Sequence, residues 1–117
     1  MARHILILGN GIAGVNCARW LRQGDPHCRI TLLSKETQHP YSRTALMYVY
    51  MGYNRWEDVK LIGDWYWQEQ QIALRMGTAT GLDATRKELL LADGARIAYD
   101  ALVLATGSVP RRAGWPG

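Results

Sequence analysis

The sequence is poor in the features that most quickly assign a chain to a class. Its 117 residues contain only two cysteines, Cys17 and Cys28, which fall in separate expected elements with no CxxC spacing. This spacing excludes a zinc ribbon and a CxxC redox disulfide, and reads as two free, buried thiols in a reducing cytoplasm. Long apolar runs are also missing. Met1–Ala2–Arg3–His4 leads directly into the apolar stretch Ile5 to Leu8, far too short for a signal-peptide core or a membrane span. Charge is not concentrated either. The formal net charge is +4, but lysine and arginine form no run of five or more, so the sequence speaks against a nucleic-acid-binding surface. His4, His27 and His39 show no metal-ligand spacing. Internal repeats and low-complexity linkers are absent from the sequence.

What is present describes a globular α/β chain: 48% hydrophobic and 21% charged residues, with enough length to bury one modest core. Ile5–Leu6–Ile7–Leu8 is a continuous apolar run ending at glycine, the pattern of a strand buried on both faces of a parallel sheet. Ala13, Cys17 and Leu21 recur at four-residue spacing with Ala18 beside them, and Gly24 and Pro26 supply a stop. A helix of about three turns fits. Ile30 to Leu33 reads as the next strand, which makes a right-handed strand–helix–strand unit with parallel strands. Helices are also expected from Thr44 to Met51 and after a capping Asp64, the latter carrying Trp65, Tyr66 and Trp67. Those aromatics read as core or interface packing. Asp93–Gly94, between Leu89–Leu91 and Arg96–Tyr99, marks a hairpin, with Thr78–Asp83 as its third strand. Leu102 to Ala105 repeats the buried-strand pattern and ends at Thr106–Gly107.

The chemistry-bearing motif is Gly9–Asn10–Gly11–Ile12–Ala13–Gly14, a G-x-G-x-x-G placed where a strand becomes a helix. Gly9 permits the tight turn, Gly11 lets a pyrophosphate approach the backbone, and Gly14 lets helix and strand pack closely. Free N–H groups at Ile12, Ala13 and Gly14 would meet the phosphates. About 20 residues further on, an acid is expected to receive a ribose hydroxyl. The sequence there is Ser34–Lys35–Glu36: Lys35 occupies the expected place and Glu36 is the nearest carboxylate. Which of the two meets the ribose stays open, as does a plain solvated-loop role for Glu36.

Three further stretches carry a family resemblance. They are Pro40–Tyr41–Ser42–Arg43, the run Tyr99–Asp100–Ala101–Leu102–Val103–Leu104–Ala105–Thr106–Gly107, and Pro110 closing A-T-G-x-x-P. Together with the glycines, and in this order, they resemble the N-terminal part of the FAD-dependent pyridine nucleotide-disulfide oxidoreductases, within the group that includes rubredoxin and ferredoxin reductases, the nitrite reductase large subunit and apoptosis-inducing factor. The resemblance implies a Rossmann-like FAD-binding fold, a parallel sheet plus a β-hairpin or meander. Residues 1–117 would be the N-terminal part of a discontinuous FAD-binding domain, with the NAD(P)-binding and C-terminal domains outside this chain. It implies that Arg43 lies along the FAD, that Ala105, Thr106 and Gly107 line the dinucleotide, and that Ala79 offers backbone groups to the adenine. Tyr99 and Asp100 are expected to be structural.

Two departures from the family pattern matter. Tyr48 stands where ferredoxin reductase and apoptosis-inducing factor members carry a lysine, and residues 40–52 hold no cysteine where the disulfide reductases carry theirs. Thiol exchange beside the flavin is therefore not expected. The implied function is hydride transfer from NAD(P)H to FAD, with electrons passing to an acceptor such as a redox protein. A non-catalytic dinucleotide-binding or redox-sensing module is the alternative, and a homodimer stays open.

Overall fold

A computed structural model describes residues 2–109, 111 and 113–115. β1 (His4–Leu8) runs into α1 (Ile12–Gly24), and β2 (Arg29–Ser34) returns parallel to β1 with His4 opposite Arg29 and Leu8 opposite Leu33. A 3-10 turn over Arg43–Ala45 precedes the short α2 (Leu46–Tyr50), and a second such turn covers Trp56–Val59. α3 (Asp64–Glu69) is followed by β3 (Ile72–Met76), β4 (Ala79–Asp83), β5 (Glu88–Leu91), β6 (Arg96–Ala98) and β7 (Ala101–Leu104).

The strands form two sheets. One is four-stranded and parallel in the order β3-β2-β1-β7, and the other is an antiparallel meander, β4-β5-β6. The parallel sheet is covered on both faces, which is why β1 carries the unbroken apolar run Ile5–Leu8 and the run Ile30–Leu33 of β2 is interrupted only by Thr31, whose hydroxyl is paired with His4 Nε2 at 2.8 Å. On one face Ile5, Ile7, Ile30, Leu32 and Ile72 pack against Val15 and Ala18 of α1 and Trp67 of α3. On the other, Leu6 and Leu33 meet Leu89, Leu91 and Ile97 of the meander. The hairpin turns at Asp93–Gly94 as expected, with Gly94 at φ +88° and the Asp93 carboxylate accepting from the Ala95 amide.

Three details differ from the sequence reading. β3 was not expected; it adds to β2 in parallel, and the chain enters it through Gln71 at φ +54°, a left-handed turn that glutamine does not announce. Asp64 does not cap α3. Gly63 is the N-cap, with no side-chain cap bond, and the Asp64 carboxylate takes two hydrogen bonds from Lys60 Nζ at 2.9 and 3.1 Å. Ala13 lies outside the buried stripe of α1, which runs through Gly14, Val15 and Ala18, so Ala13 is exposed. Trp65, Tyr66 and Trp67 divide their roles: Trp67 is buried, Tyr66 half-buried and Trp65 exposed.

Candidate functional site

Two of the three glycines in the Gly9–Gly14 turn answer a steric demand of the fold, and the third does not. Gly9 has φ +112°, and a methyl group on it would stand 2.0 Å from the Ala105 carbonyl oxygen. A methyl on Gly14 would stand 1.9 Å from the Gly9 carbonyl oxygen. These two positions let the end of β7 and the first turn of α1 close onto the end of β1. The Gly9 amide donates to Leu33 O at 2.8 Å and the Ala105 amide to Leu8 O at 2.8 Å, which binds β2, β1 and β7 together at this point. Gly11 faces a different surrounding. A methyl there would meet only Arg43 Nε, at 3.6 Å, so its small size is not required by the packing of the fold.

α1 begins at this turn without a side-chain cap and without an acid in its first turn. The Val15 amide is bonded to Gly11 O, whereas Ile12, Ala13 and Gly14 precede the first residue that can find an intrahelical acceptor. The end of the helix therefore presents N–H groups and the positive end of its dipole, a setting that favours an anion. The turn also sits where the strand order reverses: β1 pairs with β2 on one side and with β7 on the other. In open α/β sheets this crevice, at the carboxyl ends of the strands, is the customary ligand site.

A polar network closes over the turn. Asn10 is 2% exposed; its Nδ2 donates to Thr37 O at 2.8 Å, and its Oδ1 accepts from Arg43 Nη2 at 3.3 Å. Arg43 Nη1 donates to Glu36 Oε2 at 2.5 Å and to the Tyr41 hydroxyl at 2.8 Å, and the guanidinium lies 4.9 Å from the Tyr41 ring centroid. The Tyr41 hydroxyl donates to Glu36 Oε1. That bond, seconded by Arg43, holds the Glu36 carboxyl below the usual glutamate range. Burial of Tyr41, together with its bond to Glu36, pushes the phenol up. The segment is fixed from below by Ser34 Oγ, which accepts from the Glu36 and Thr37 amides.

The structure thus brings Gly11, Glu36 and Arg43 to one place and sets Ala105 against Gly9. Lys35 is exposed immediately after β2 and forms no salt bridge among the described residues. Ala79 opens β4 opposite Leu91, and the Gly77 amide, donating to Ser34 O at 2.9 Å, ties that corner to the end of β2. Thr106 and Gly107 are exposed beyond β7, with Gly107 at φ +75°. Pro110 lies outside the described residues, as do Pro116 and Gly117. Tyr48 is exposed on α2. Asp100 accepts from the His4 amide at 2.6 Å, a bond that links β1 to the start of β7. Burial raises the thiol of Cys17 above its ordinary range, and Cys28 is buried.

Residues 3–117 match the family model described as pyridine nucleotide-disulphide oxidoreductase. The chain belongs to this family. It is 38% identical over 119 residues to the ferredoxin–NAD(+) reductase subunit of a benzene 1,2-dioxygenase system from Pseudomonas putida, covering all of this chain and 29% of that protein. It is 36% identical over 110 residues to a rubredoxin–NAD(+) reductase from the same organism, covering 92% of this chain and 29% of that one. Among solved structures, putidaredoxin reductase in its covalent complex with putidaredoxin superposes with a TM-score of 0.88 at 32% identity, over 97% of this chain and 28% of that chain. A ferredoxin reductase from Rhodopseudomonas palustris gives 0.88 at 34% identity, with the same coverage. The chain therefore spans less than a third of the length of these oxidoreductases. The α/β fold, a parallel sheet with a further antiparallel sheet, is the one these relatives share.

Asn10 is the site residue that the motif did not reveal, since it fills a position the pattern leaves unspecified. Its one mark in the sequence is a polar side chain between two glycines.

Proposed function

We propose that this chain is the FAD-binding part of an NAD(P)H-dependent flavoprotein oxidoreductase that passes hydride from NAD(P)H to FAD and electrons on to a redox-protein acceptor. The observation that carries the reading is the uncapped N-terminus of α1 at the strand-order reversal, with Gly11 open to approach and Arg43 directly across from it. Relatives named as ferredoxin and rubredoxin reductases support the acceptor class.

In this reading the amides of Ile12, Ala13 and Gly14 take the pyrophosphate, and Arg43 adds a cation beside it. Glu36 serves the ribose with the lone pairs left over from Tyr41 and Arg43, and Lys35 stands next to it as an alternative contact. Ala105, Thr106 and Gly107 run past the dinucleotide with little bulk, and Ala79 offers backbone groups at the adenine end. The bound flavin supplies the ability to accept a hydride and release electrons; the residues of this chain bind and orient it. We further infer that residues 1–117 are the first part of a discontinuous FAD domain and that the nicotinamide site lies in other sequence. The relatives' greater length supports this, as does the single glycine fingerprint in the chain. A cytoplasmic location is part of the same reading, resting on the two unpaired thiols. No helix of the described residues is long and apolar enough to cross a membrane.

The test is to load the chain with FAD, remove free flavin, and follow visible absorbance before and after anaerobic addition of NADH. Retained flavin, with bleaching no faster than free FAD, is expected. A chain that binds neither FAD nor ADP refutes the cofactor assignment, and faster bleaching shows that residues 1–117 hold a nicotinamide site of their own.

A further inference from the structure

We infer that Asn10 is a positioning residue: it holds the Arg43 guanidinium over the glycine turn and thereby sets how tightly the turn takes a pyrophosphate. The inference rests on the dinucleotide reading above.

Asn10 is almost wholly buried, a costly place for an amide unless both of its ends are satisfied. Both are. Thr37 O can only accept, so the donor end of the amide must face it, and the acceptor end is thereby turned toward Arg43 Nη2. The orientation of the amide is dictated by its partners. On the far side of the guanidinium, Nη1 is held by Glu36 and Tyr41, and the Tyr41 ring lies against the guanidinium carbon. The plane is therefore fixed at both ends by three side chains from three separate stretches: the glycine turn, the end of β2 and the segment before α2. Arg43 Nε has no hydrogen-bond partner among the described residues, and it is the atom nearest to where a Gly11 side chain would be. The free donor of Arg43 thus borders the space that glycine leaves open beside the helix end.

An exposed arginine ordinarily loses much rotamer freedom when it engages an anion. Here that freedom is already restricted before any ligand arrives, and Asn10 is the tether that comes from the turn itself. Glu36 and Tyr41 anchor the guanidinium to the neighbouring loop; only Asn10 anchors it to the residues that would carry the pyrophosphate. The competing account is that Asn10 merely stitches the turn to Thr37. The two accounts differ in one respect. A tether that acts through Arg43 has no effect once the guanidinium is gone, whereas a stitch to Thr37 keeps its full effect.

The experiment is a double-mutant cycle on the chain, with FAD and ADP as titrants and thermal melting as a control for folding. Asn10→Ala is expected to weaken both titrants by about tenfold, the loss of one hydrogen bond to a charged group. In an Arg43→Gln background the same substitution should add less than about twofold, the mark of coupled sites. Equal losses in the two backgrounds would overturn the inference and leave Asn10 a structural stitch. Should Asn10→Ala fail to fold, Asn10→Ser, which keeps a polar atom at the buried position on a shorter side chain, is carried through the same cycle: a loss in the native background that shrinks beside Arg43→Gln supports the tether, and equal losses overturn it. A native chain that binds neither FAD nor ADP would refute the dinucleotide reading and this inference with it, an outcome distinct from an additive cycle.

Discussion

Replacing Gly14 with alanine should separate the two tasks of the glycine turn. The new methyl would sit 1.9 Å from the Gly9 carbonyl oxygen and 3.4 Å from Ile7 Cγ2. The first of these neighbours is backbone, held by the sheet, and cannot swing away. Ordinary contact begins near 3.4 Å, so α1 must lift by more than an ångström or the turn must deform. Lifting the helix opens the contact of Val15 and Ala18 with Ile5, Ile7, Ile30 and Leu32, all nearly or fully buried. Overpacking of this kind costs about 1–3 kcal/mol, and backbone rather than side-chain resistance places it at the upper end. Alanine returns about 1 kcal/mol through its better helix propensity. A net loss of about 2 kcal/mol is expected, read as a fall of about 1 M in the urea midpoint for an ordinary denaturant slope. Gly11→Ala is the control. Its methyl meets only Arg43 Nε at 3.6 Å, and Gly11 has φ −71°, open to any residue. Stability should change by no more than about 1 kcal/mol, the usual scale at an N-cap, while FAD and ADP affinity should fall. Circular dichroism in urea and titration of both ligands check the pair. A Gly14→Ala chain as stable as the native one would refute the packing argument, and a Gly11→Ala chain with undiminished affinity would refute the assignment of the approach.

Two other substitutions bear on the frame around the site. Arg22 donates to the carbonyls of Gln70, Gln71, Cys28 and Asp25 at 2.7–3.2 Å and so fastens the end of α1 to the entry of β3; Arg22→Ala should cost about 2–3 kcal/mol in the same urea assay, with only part of it recovered by Arg22→Lys, whose ammonium cannot span four acceptors. No loss on Arg22→Ala would count against that clamp. Glu36 is held ionised chiefly by the Tyr41 hydroxyl, so its contribution to stability is complete above the ordinary glutamate range and disappears as pH falls through its lowered folded-state value. Tyr41→Phe should move the Glu36 carboxyl titration upward when followed by carbon NMR, and an unmoved titration would show that Arg43 alone sustains the shift.

Much of the fold is legible because burial leaves a mark on composition. β1 and β2 are covered on both faces, so Ile5–Leu8 is wholly apolar and Ile30–Leu33 has only the β-branched Thr31 among its apolar residues, and Asp93–Gly94 encodes the hairpin through a turn that needs φ above zero. β3 is different. It is an edge strand in which Ala73, Arg75 and Met76 are exposed, so its sequence is not under the same apolar constraint, and its start depends on a left-handed Gln71. The limits of the site reading follow from the same physics. Gly9 and Gly14 are readable because each position excludes a Cβ, a requirement that acts on the residue itself, and Gly11 because it completes their motif. Glu36, Tyr41 and Arg43 are readable as a segment but not as a network, since their joint geometry depends on where α2 and the end of β2 are set by the rest of the fold. Asn10 lies at the extreme of this dependence: its local motif asks nothing of its side chain, and its role is defined by Thr37 and Arg43, 27 and 33 residues away. Sequence patterns preserve what the backbone demands, whereas a side chain whose function is to hold another becomes visible only when both are in place.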